Sequence, residues 1–138
     1  MFSLFRRNKK KPPEIQLATI TNGPGTYLVE AVGESKYQDT LEKICGGRTE
    51  NGHRYKVDAY LYPEDDNPHD NQAILIVIDD EPVGYLDRAT ARSFRKAMAK
   101  IAPNGTIAKC PGMIVGGWDR GDGDEGYFGV RLDLPSDP

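Results

Sequence analysis

Residues 73–86, with the sequence AILIVIDDEPVGYL, restrict the fold more than any other segment of the chain. The run AILIVI is apolar throughout and rich in β-branched residues, which is the composition of a buried central strand. The DDEP group that follows has the residues of a turn, and VGYL after it can pair back onto the first strand. The segment therefore predicts an antiparallel β-hairpin.

Two helices are predicted, one on each side of this hairpin. In the first, Tyr37, Leu41 and Ile44 lie at i, i+4 and i+7, which is the spacing of one helical face. Ser35 is a candidate N-cap, and Gly46-Gly47 provides a C-terminal stop. The spacing and the two end signals together predict a short helix that covers the sheet with one face.

The second helix is predicted over residues 87–101, DRATARSFRKAMAKI. Asp87 is a suitable N-cap, and Pro103-Asn104-Gly105 ends the segment. Its apolar stripe comprises Phe94, Ala97, Met98 and Ile101. The stripe predicts that this helix also packs against the sheet by one face.

Short strands account for most of the remaining chain. Residues 53–62, HRYKVDAYLY, alternate apolar and polar side chains with the period of two that is expected for a half-buried strand. A strand over YLVEAVGE has Leu28 and Val32 among its apolar positions, and residues 106–118 and 126–134 supply two more, joined by the loop DRGDGDE. The order β-α-β-β-β-α-β-β predicts a mainly β, α+β domain in the form of a small antiparallel barrel with two inserted helices.

Charge is distributed unevenly along the 138 residues. Residues 1–13 contain five of the 18 basic residues, so residues 14–138, the expected single domain, carry 13 basic and 21 acidic residues, a net charge of −8. Such a body is not a general polyanion binder, so any contact with nucleic acid requires a local basic patch or the tail. We expect a flexible basic N-terminal arm, which either solubilises the protein or contacts phosphate or an anionic membrane nonspecifically.

The cysteine and hydropathy patterns indicate a protein of a reducing compartment. Cys45 and Cys110 lie far apart in the chain, which predicts two free thiols and a cytoplasmic location. No apolar run approaches the roughly 18 residues of a membrane span, and the start of the chain lacks the pattern of a secretory signal. A zinc site of Cys45, Cys110, His53 and His69 has no supporting spacing, so we expect no metal, no cofactor and no membrane partner.

No motif in the chain indicates catalysis. Residues 119–126, DRGDGDEG, lack the ligand spacing of an EF-hand and are better explained as a hairpin loop. His69 and Asp70 are neighbours in one turn, a placement that rarely gives a general base and the group that orients it. We therefore expect no enzymatic activity, and a metal-dependent hydrolase or nuclease is the weakest of the alternatives.

The turn before the central hairpin, residues 64–71, concentrates carboxylates and amides. Its polar residues include Glu64, Asp65, Asp66, Asn67, His69 and Asp70. The plain explanation is a solvated turn, since Asn-Pro favours turn initiation and Asp and Asn side chains cap backbone groups. The alternative is a site that offers hydrogen-bond acceptors to a ligand.

Three segments together resemble a HIRAN domain: VGESKYQDTLEKI, residues 61–91 with the acidic turn and the hairpin, and MIVGG with GYFGVRLDL. The match covers about residues 27–134, and its most specific element is Asn67-Pro68-x-Asp70-x-x-Ala73 followed by VGYL at residues 83–86. This domain also occurs at the front of helicase-like transcription factor and related fork-remodelling proteins. The resemblance implies an OB-like antiparallel β-barrel that binds the 3′ end of single-stranded DNA, with repair or replication proteins as partners.

The resemblance assigns roles to individual positions. Asn67 matches the asparagine of the family's turn, and Asp70 matches the aspartate that meets the terminal 3′-hydroxyl. His69 holds the place of an aromatic residue, and its flat ring can stack on a base less well than tyrosine. A second stacking tyrosine of the family corresponds to Lys36, which removes about 1–3 kcal/mol of stacking, and Tyr37 matches a neighbouring tyrosine.

Basic residues beyond the hairpin complete the predicted DNA-binding set. Arg88 matches a basic residue that follows the Val-Gly segment, Arg92 lies one helical turn further along, and Tyr85 belongs to the matching VGYL segment. With Lys36, the two arginines are candidate phosphate contacts. The carboxylate of Asp70 would repel a 3′-phosphate or an internal phosphate but would accept a hydrogen bond from a terminal hydroxyl. We therefore predict a non-catalytic module that detects 3′-hydroxyl ends of DNA.

A protein-interaction module with the same fold but without DNA binding is the main alternative. The net charge of −8, the lysine at position 36 and the histidine at position 69 all favour this alternative. Such a module would associate with its partner through an exposed face around Tyr37 and Tyr85.

Overall fold

The computed structural model describes residues 16–102 and 105–135, so the basic arm predicted over residues 1–13 lies outside the described residues. The strands are β1 (Gln16–Thr19), β2 (Val29–Glu30), β3 (His53–Pro63), β4 (Ile74–Ile78), β5 (Glu81–Tyr85), β6 (Thr106–Gly116) and β7 (Phe128–Leu132). The helices are a 3-10 helix, η1 (Glu34–Tyr37), and two α-helices, α1 (Gln38–Cys45) and α2 (Arg88–Ala99). From β2 onward these elements follow the predicted order, and β1 precedes them.

The sheet is mainly antiparallel and has the strand order β2-β7-β6-β3-β4-β5, with β1 paired to β6 in parallel. It curls until its ends meet, because the chain after β2 forms a bridge to the end of β5. In this bridge Val32 and Tyr85 each donate a backbone N–H to the other's carbonyl, with N–O distances of 2.8 and 2.9 Å. The predicted class, a small OB-like antiparallel β-barrel with two helices, is confirmed.

The barrel interior is filled by alternate residues of the strands. In β4, Ile74, Ile76 and Ile78 are buried, whereas Leu75 and Val77 between them are half-buried. The other strands contribute Ala59, Leu61, Val83, Ile114, Phe128, Val130 and Leu132 to the same core cluster. This alternation is the pattern of a sheet that turns one face towards a core.

The turn of the β4–β5 hairpin consists of Asp79 and Asp80. Both residues have positive φ angles, 55° and 62°, which is the backbone of a type I′ turn. Aspartate tolerates this left-handed conformation better than most residues because its short side chain can hydrogen-bond locally. The predicted central hairpin is therefore confirmed, together with its turn.

The start of the first helix differs from the prediction. Gly33, with φ +76°, precedes a 3-10 turn, and the α-helix begins only at Gln38 without a side-chain cap. The prediction of Ser35 as the N-cap is wrong, because Ser35 lies inside the 3-10 turn. The predicted stop is confirmed, since Gly46 has φ +79° and donates its N–H to the Lys43 carbonyl.

Helix α2 begins as predicted. The Asp87 carboxylate accepts a hydrogen bond from the N–H of Thr90 at 2.8 Å, and Phe94 is buried against the barrel. Ile101 is 72% exposed, so its predicted place in the buried stripe is wrong. The α-helix ends at Ala99, and the helical spacing no longer applies beyond that residue. Neither this helix nor any other in the described part of the chain is long and apolar enough to cross a bilayer.

The first two strands show two features that the sequence did not predict. Strand β1 has no counterpart in the predicted order, since four residues are too few for a periodic signal. Around β2, Leu28 and Val32 are 76% and 44% exposed, whereas Val29 and Ala31 pack on the core. Because this stretch has apolar residues in both phases of the alternation, its sequence does not indicate which side faces inward.

The two cysteines are unpaired, as predicted: Cys110 is buried and Cys45 is half-buried. Burial raises the pKa of the Cys45 thiol to about 11. Burial, with smaller contributions from the charges of Asp133 and Asp58, raises the pKa of Cys110 to about 12. Both thiols therefore remain protonated at neutral pH and are weak nucleophiles.

Replacing Ile76 by alanine is expected to lower the free energy of unfolding by about 2–5 kcal/mol, because this fully buried side chain would leave a cavity. Ile101→Ala is the matched control, and its exposed side chain should change the same quantity by less than about 0.5 kcal/mol. Urea unfolding followed by circular dichroism measures both variants. Equal losses in the two variants would show that β4 does not form the core.

Candidate functional site

The acidic turn (residues 64–73), which connects β3 to β4, is held by its own side chains. The side-chain oxygen of Asn67 accepts hydrogen bonds from the backbone N–H of His69, at 2.8 Å, and from that of Asp70, at 3.1 Å. This is the capping geometry that an Asn-Pro turn favours. The predicted turn is confirmed, and Asn67 organises its backbone.

Glu64 joins the acidic turn to strand β5. Its Oε1 accepts one hydrogen bond from the Asn67 amide at 3.0 Å and another from the Tyr85 hydroxyl at 2.8 Å. Burial raises the pKa of Tyr85 to about 12, and the hydrogen bond to Glu64, the charge of Glu64 and the proximity of Tyr37 make smaller contributions. Tyr85 therefore stays protonated at neutral pH, and its hydroxyl donates a hydrogen bond to Glu64.

Asp70, in the acidic turn, faces helix α2, and 13% of its side chain is exposed. Its Oδ1 accepts hydrogen bonds from the N–H of Gln72 at 3.0 Å and from the guanidinium of Arg92 at 3.4 Å. Its Oδ2 lies 3.7 Å from Nε of Arg88, which is too long for a strong hydrogen bond. Asp70 thus caps the turn with one oxygen and turns the other towards an exposed arginine.

A third arginine, Arg95, fastens α2 to the acidic turn. Its Nε and one terminal nitrogen donate to the carbonyls of Gln72, at 2.8 Å, and of Ala73, at 3.0 Å. Its other terminal nitrogen pairs with the Asp65 carboxylate at 2.8 Å. The guanidinium group uses its fork geometry on three acceptors at once, so it holds the turn in one position relative to the helix.

Two residues that organise this site, Glu64 and Arg95, had no role in it predicted from the sequence. A signal for Arg95 is present in the sequence, because Arg88, Arg92 and Arg95 lie at i, i+4 and i+7 and share one helix face. No comparable signal exists for Glu64, since its partner Tyr85 is 21 positions away in the chain.

The 3-10 helix η1 packs against β5 where β5 has a glycine. A Cβ atom on Gly84 would lie 3.0 Å from the carbonyl oxygen of Val32, so a larger residue would push this part of the chain away. Tyr37, at the end of η1, is half-buried and close enough to Tyr85 to influence its pKa. Lys36 is exposed on the same helix.

Direct contacts connect four of the eight residues predicted for the site, Asn67, Asp70, Arg88 and Arg92. Tyr85 joins them through Glu64, which also accepts a hydrogen bond from Asn67. His69 belongs to the same turn, and its side chain is exposed. Lys36 and Tyr37 belong to η1, which packs against β5, the strand that contains Tyr85. The arrangement places a carboxylate beside two exposed cations, with an exposed histidine in the same turn.

The second acidic segment, residues 119–125 between β6 and β7, is a hairpin loop, as predicted. Asp119 accepts the N–H of Gly121 at 3.0 Å, and Asp124 accepts the indole N–H of Trp118 at 3.1 Å. These carboxylates are therefore used within the loop. In the described part of the chain, no group of three or more His, Cys, Asp or Glu residues is arranged to hold a metal ion.

A scan against protein-family models finds no match to this chain, and searches of curated proteins and of solved structures also find no significant match. The resemblance to HIRAN domains therefore stays a prediction from the quoted segments.

The tyrosine titration of the folded protein should include a step near pH 12 that is absent in Tyr85→Phe. Folding stabilises neutral Tyr85, so its contribution to stability is present below pH 10 and is lost as the pH rises from 10 to about 12. Ultraviolet absorbance of tyrosinate measures the step. Tyr127→Phe, which changes a 79% exposed tyrosine, is the control and should keep the step. A step near pH 12 that persists in Tyr85→Phe would contradict the assignment of this step to Tyr85.

Proposed function

We propose that this chain is a non-catalytic module that binds single-stranded DNA and recognises a free 3′-hydroxyl end at Asp70. The observation that carries the proposal is the asymmetry of the Asp70 carboxylate. Oδ1 is engaged by Gln72 and Arg92, whereas the contact of Oδ2 within the described residues is the 3.7 Å approach of Arg88. A carboxylate oxygen with unused acceptor capacity is a strong acceptor for a hydroxyl group.

The two exposed arginines supply the attraction that such a ligand needs. The side chains of Arg88 and Arg92 are 74% and 48% exposed, so their guanidinium groups can also contact the phosphate that precedes the terminal nucleotide. Asp70 offsets part of their charge. A strand that ends in a hydroxyl offers its last phosphate to the arginines and a hydrogen-bond donor to Asp70. A 3′-phosphate instead brings a second anion against Asp70.

The remaining predicted residues fit supporting roles. The exposed ring of His69 can stack on the terminal base, because base stacking requires only an accessible flat surface. Lys36 is exposed on η1 and can contact a phosphate further along the strand. Tyr37 is half-buried, so it contributes more to the position of η1 than to a stacking surface.

The proposal also includes the biological setting that the HIRAN resemblance implies. In this setting the module acts in DNA repair or replication, together with proteins of those processes, and it needs no cofactor. We place it in the cytoplasm, because the unpaired thiols of Cys45 and Cys110 suit a reducing compartment.

A protein-interaction module that lacks DNA binding is the second candidate. The surface predicted for it around Tyr37 and Tyr85 is small, because both side chains are half-buried. The hydroxyl of Tyr85 is also engaged by Glu64. This candidate predicts no salt-dependent affinity for DNA, which separates it from the first.

A short single-stranded oligonucleotide with a 3′-hydroxyl should bind more tightly than its 3′-phosphorylated twin. Fluorescence anisotropy at two salt concentrations measures both affinities. Each phosphate contact should add about −0.7 to the slope of log K against log salt. Equal affinity for the two ends would exclude end recognition, and binding that is absent at both salt concentrations would favour the protein-interaction module.

Replacing Asp70 by asparagine should reduce the preference for the 3′-hydroxyl more than it reduces total binding. Asparagine keeps an oxygen for the N–H of Gln72 but removes the charge that repels a 3′-phosphate. That repulsion is worth about 1 kcal/mol or more at a separation near 4 Å, so the affinity ratio should fall at least about fivefold.

Asp80→Asn is the matched control for this variant. It removes the same charge from the β4–β5 turn, at the other end of the hairpin, and asparagine tolerates the positive φ of that position. We expect Asp80→Asn to keep the wild-type ratio in the same anisotropy titration. An equal loss of preference in the two variants would show that net charge, and not the position of Asp70, sets the preference.

A further inference from the structure

A groove on the far side of α2 is not used by the proposed function. It has a volume of about 600 Å³ and is lined by α2, by Ile20 after β1 and by Leu134 after β7. The apolar residues that α2 contributes include Phe94, Ala97 and Met98, and Ile101 follows the end of the helix. At 100° per residue, Phe94 and Ala97 lie about 140° and 160° around the helix from the middle of the face that carries Arg88 and Arg92, and Met98 lies about 100° from it. The groove and the acidic turn are therefore separate surfaces of one helix.

The groove combines an apolar floor with a basic rim. Lys96 and Lys100 line it and are exposed, and among the described residues no aspartate or glutamate lines it. Ile101, at its end, is 72% exposed, although an aliphatic side chain of this size is usually buried. An occupant of the groove could bury the exposed side chain of Ile101, and carboxylates of the same occupant could pair with the two lysines.

We infer that this groove docks an acidic amphipathic segment of a partner protein. The helical part of the wall, from Ala89 to Met98, is about 14 Å long at 1.5 Å per residue, and Lys100 and Ile101 extend the wall to about three turns of a partner helix. Apolar side chains at i, i+3 or i+4, and i+7 of that helix would enter the groove. Its carboxylates would then meet Lys96 and Lys100, which fixes its orientation by charge.

The charges of the groove favour this occupant over two others. The chain's own residues 1–13 carry five basic residues and no acidic ones, so their charge opposes that of the lysine rim. A second copy of the chain in a two-fold pair would place the same patch against itself and bring Lys96 and Lys100 together. An acidic segment of a different protein avoids both conflicts.

A library of random peptides of about 12 residues, the length of the groove wall, tests the inference. The library is selected by phage display on the full chain and counter-selected on the double variant Lys96→Glu, Lys100→Glu. We expect the enriched peptides to carry apolar residues at helical spacing together with several aspartates or glutamates.

An enriched peptide is then measured by fluorescence anisotropy. It should bind the double variant about tenfold more weakly, because two charge contacts are reversed. Ile101→Ser should weaken binding about fivefold through the loss of apolar contact, and Lys43→Glu, a matched charge reversal on α1, should keep the wild-type affinity. The 3′-end affinity of Ile101→Ser should be unchanged, so the groove and the DNA site are tested separately.

Several outcomes would overturn the inference. One is a failure to enrich any peptide, or enrichment of peptides that lack acidic residues. Another is equal binding by the double variant and the wild type. A dimer in sedimentation velocity that Ile101→Ser dissociates would identify a second copy as the occupant. Tighter peptide binding after Phe2→Ser and Phe5→Ser would identify the chain's own N-terminal segment.

Discussion

The charge balance between the acidic turn and helix α2 is the interaction on which the candidate site depends. The turn contains four carboxylates, and three arginines spaced at i, i+4 and i+7 reach it from the helix. Without the arginines, the carboxylates would repel one another and any nucleic acid. Without the carboxylates, the arginines would attract phosphate groups of any kind. Each set of charges therefore restricts what the other can bind, and the proposed preference for a hydroxyl end follows from that restriction.

Most of the fold could be predicted because its signals are local. The AILIVI strand, its two-aspartate turn and the Asp87 cap each lie within a few neighbouring residues, and all three are confirmed. The failures arise where local signals compete or are missing. Apolar residues at both phases around β2 leave its inward side undefined. Gly33 starts a 3-10 turn before Ser35 can cap the helix, and β1 depends on a partner strand some 90 residues away.

The candidate site was less predictable than the fold, because its geometry depends on contacts between distant segments. The sequence indicated the Asn67 turn and the importance of Asp70, whose backbone groups are ordered by a residue three positions away. It did not indicate that Glu64 accepts a hydrogen bond from Tyr85, or that Arg95 binds the carbonyls of the turn, since these contacts span 21 to 23 positions. Such pairs become visible only when the barrel brings β5 and α2 beside the acidic turn.

Helix α2 links the two surfaces that the proposals assign to this protein. Arg95 binds two backbone carbonyls of the turn, and backbone groups cannot move aside as freely as side chains. The position of α2 relative to Asp70 is therefore well defined, and so is the position of the groove on its far side. A partner in that groove would lie about 10 Å, one helix diameter, from the DNA end. Its acidic residues would pair with Lys96 and Lys100, and Lys96 lies only four residues after Arg92, so the two ligands would be close enough to affect each other's binding.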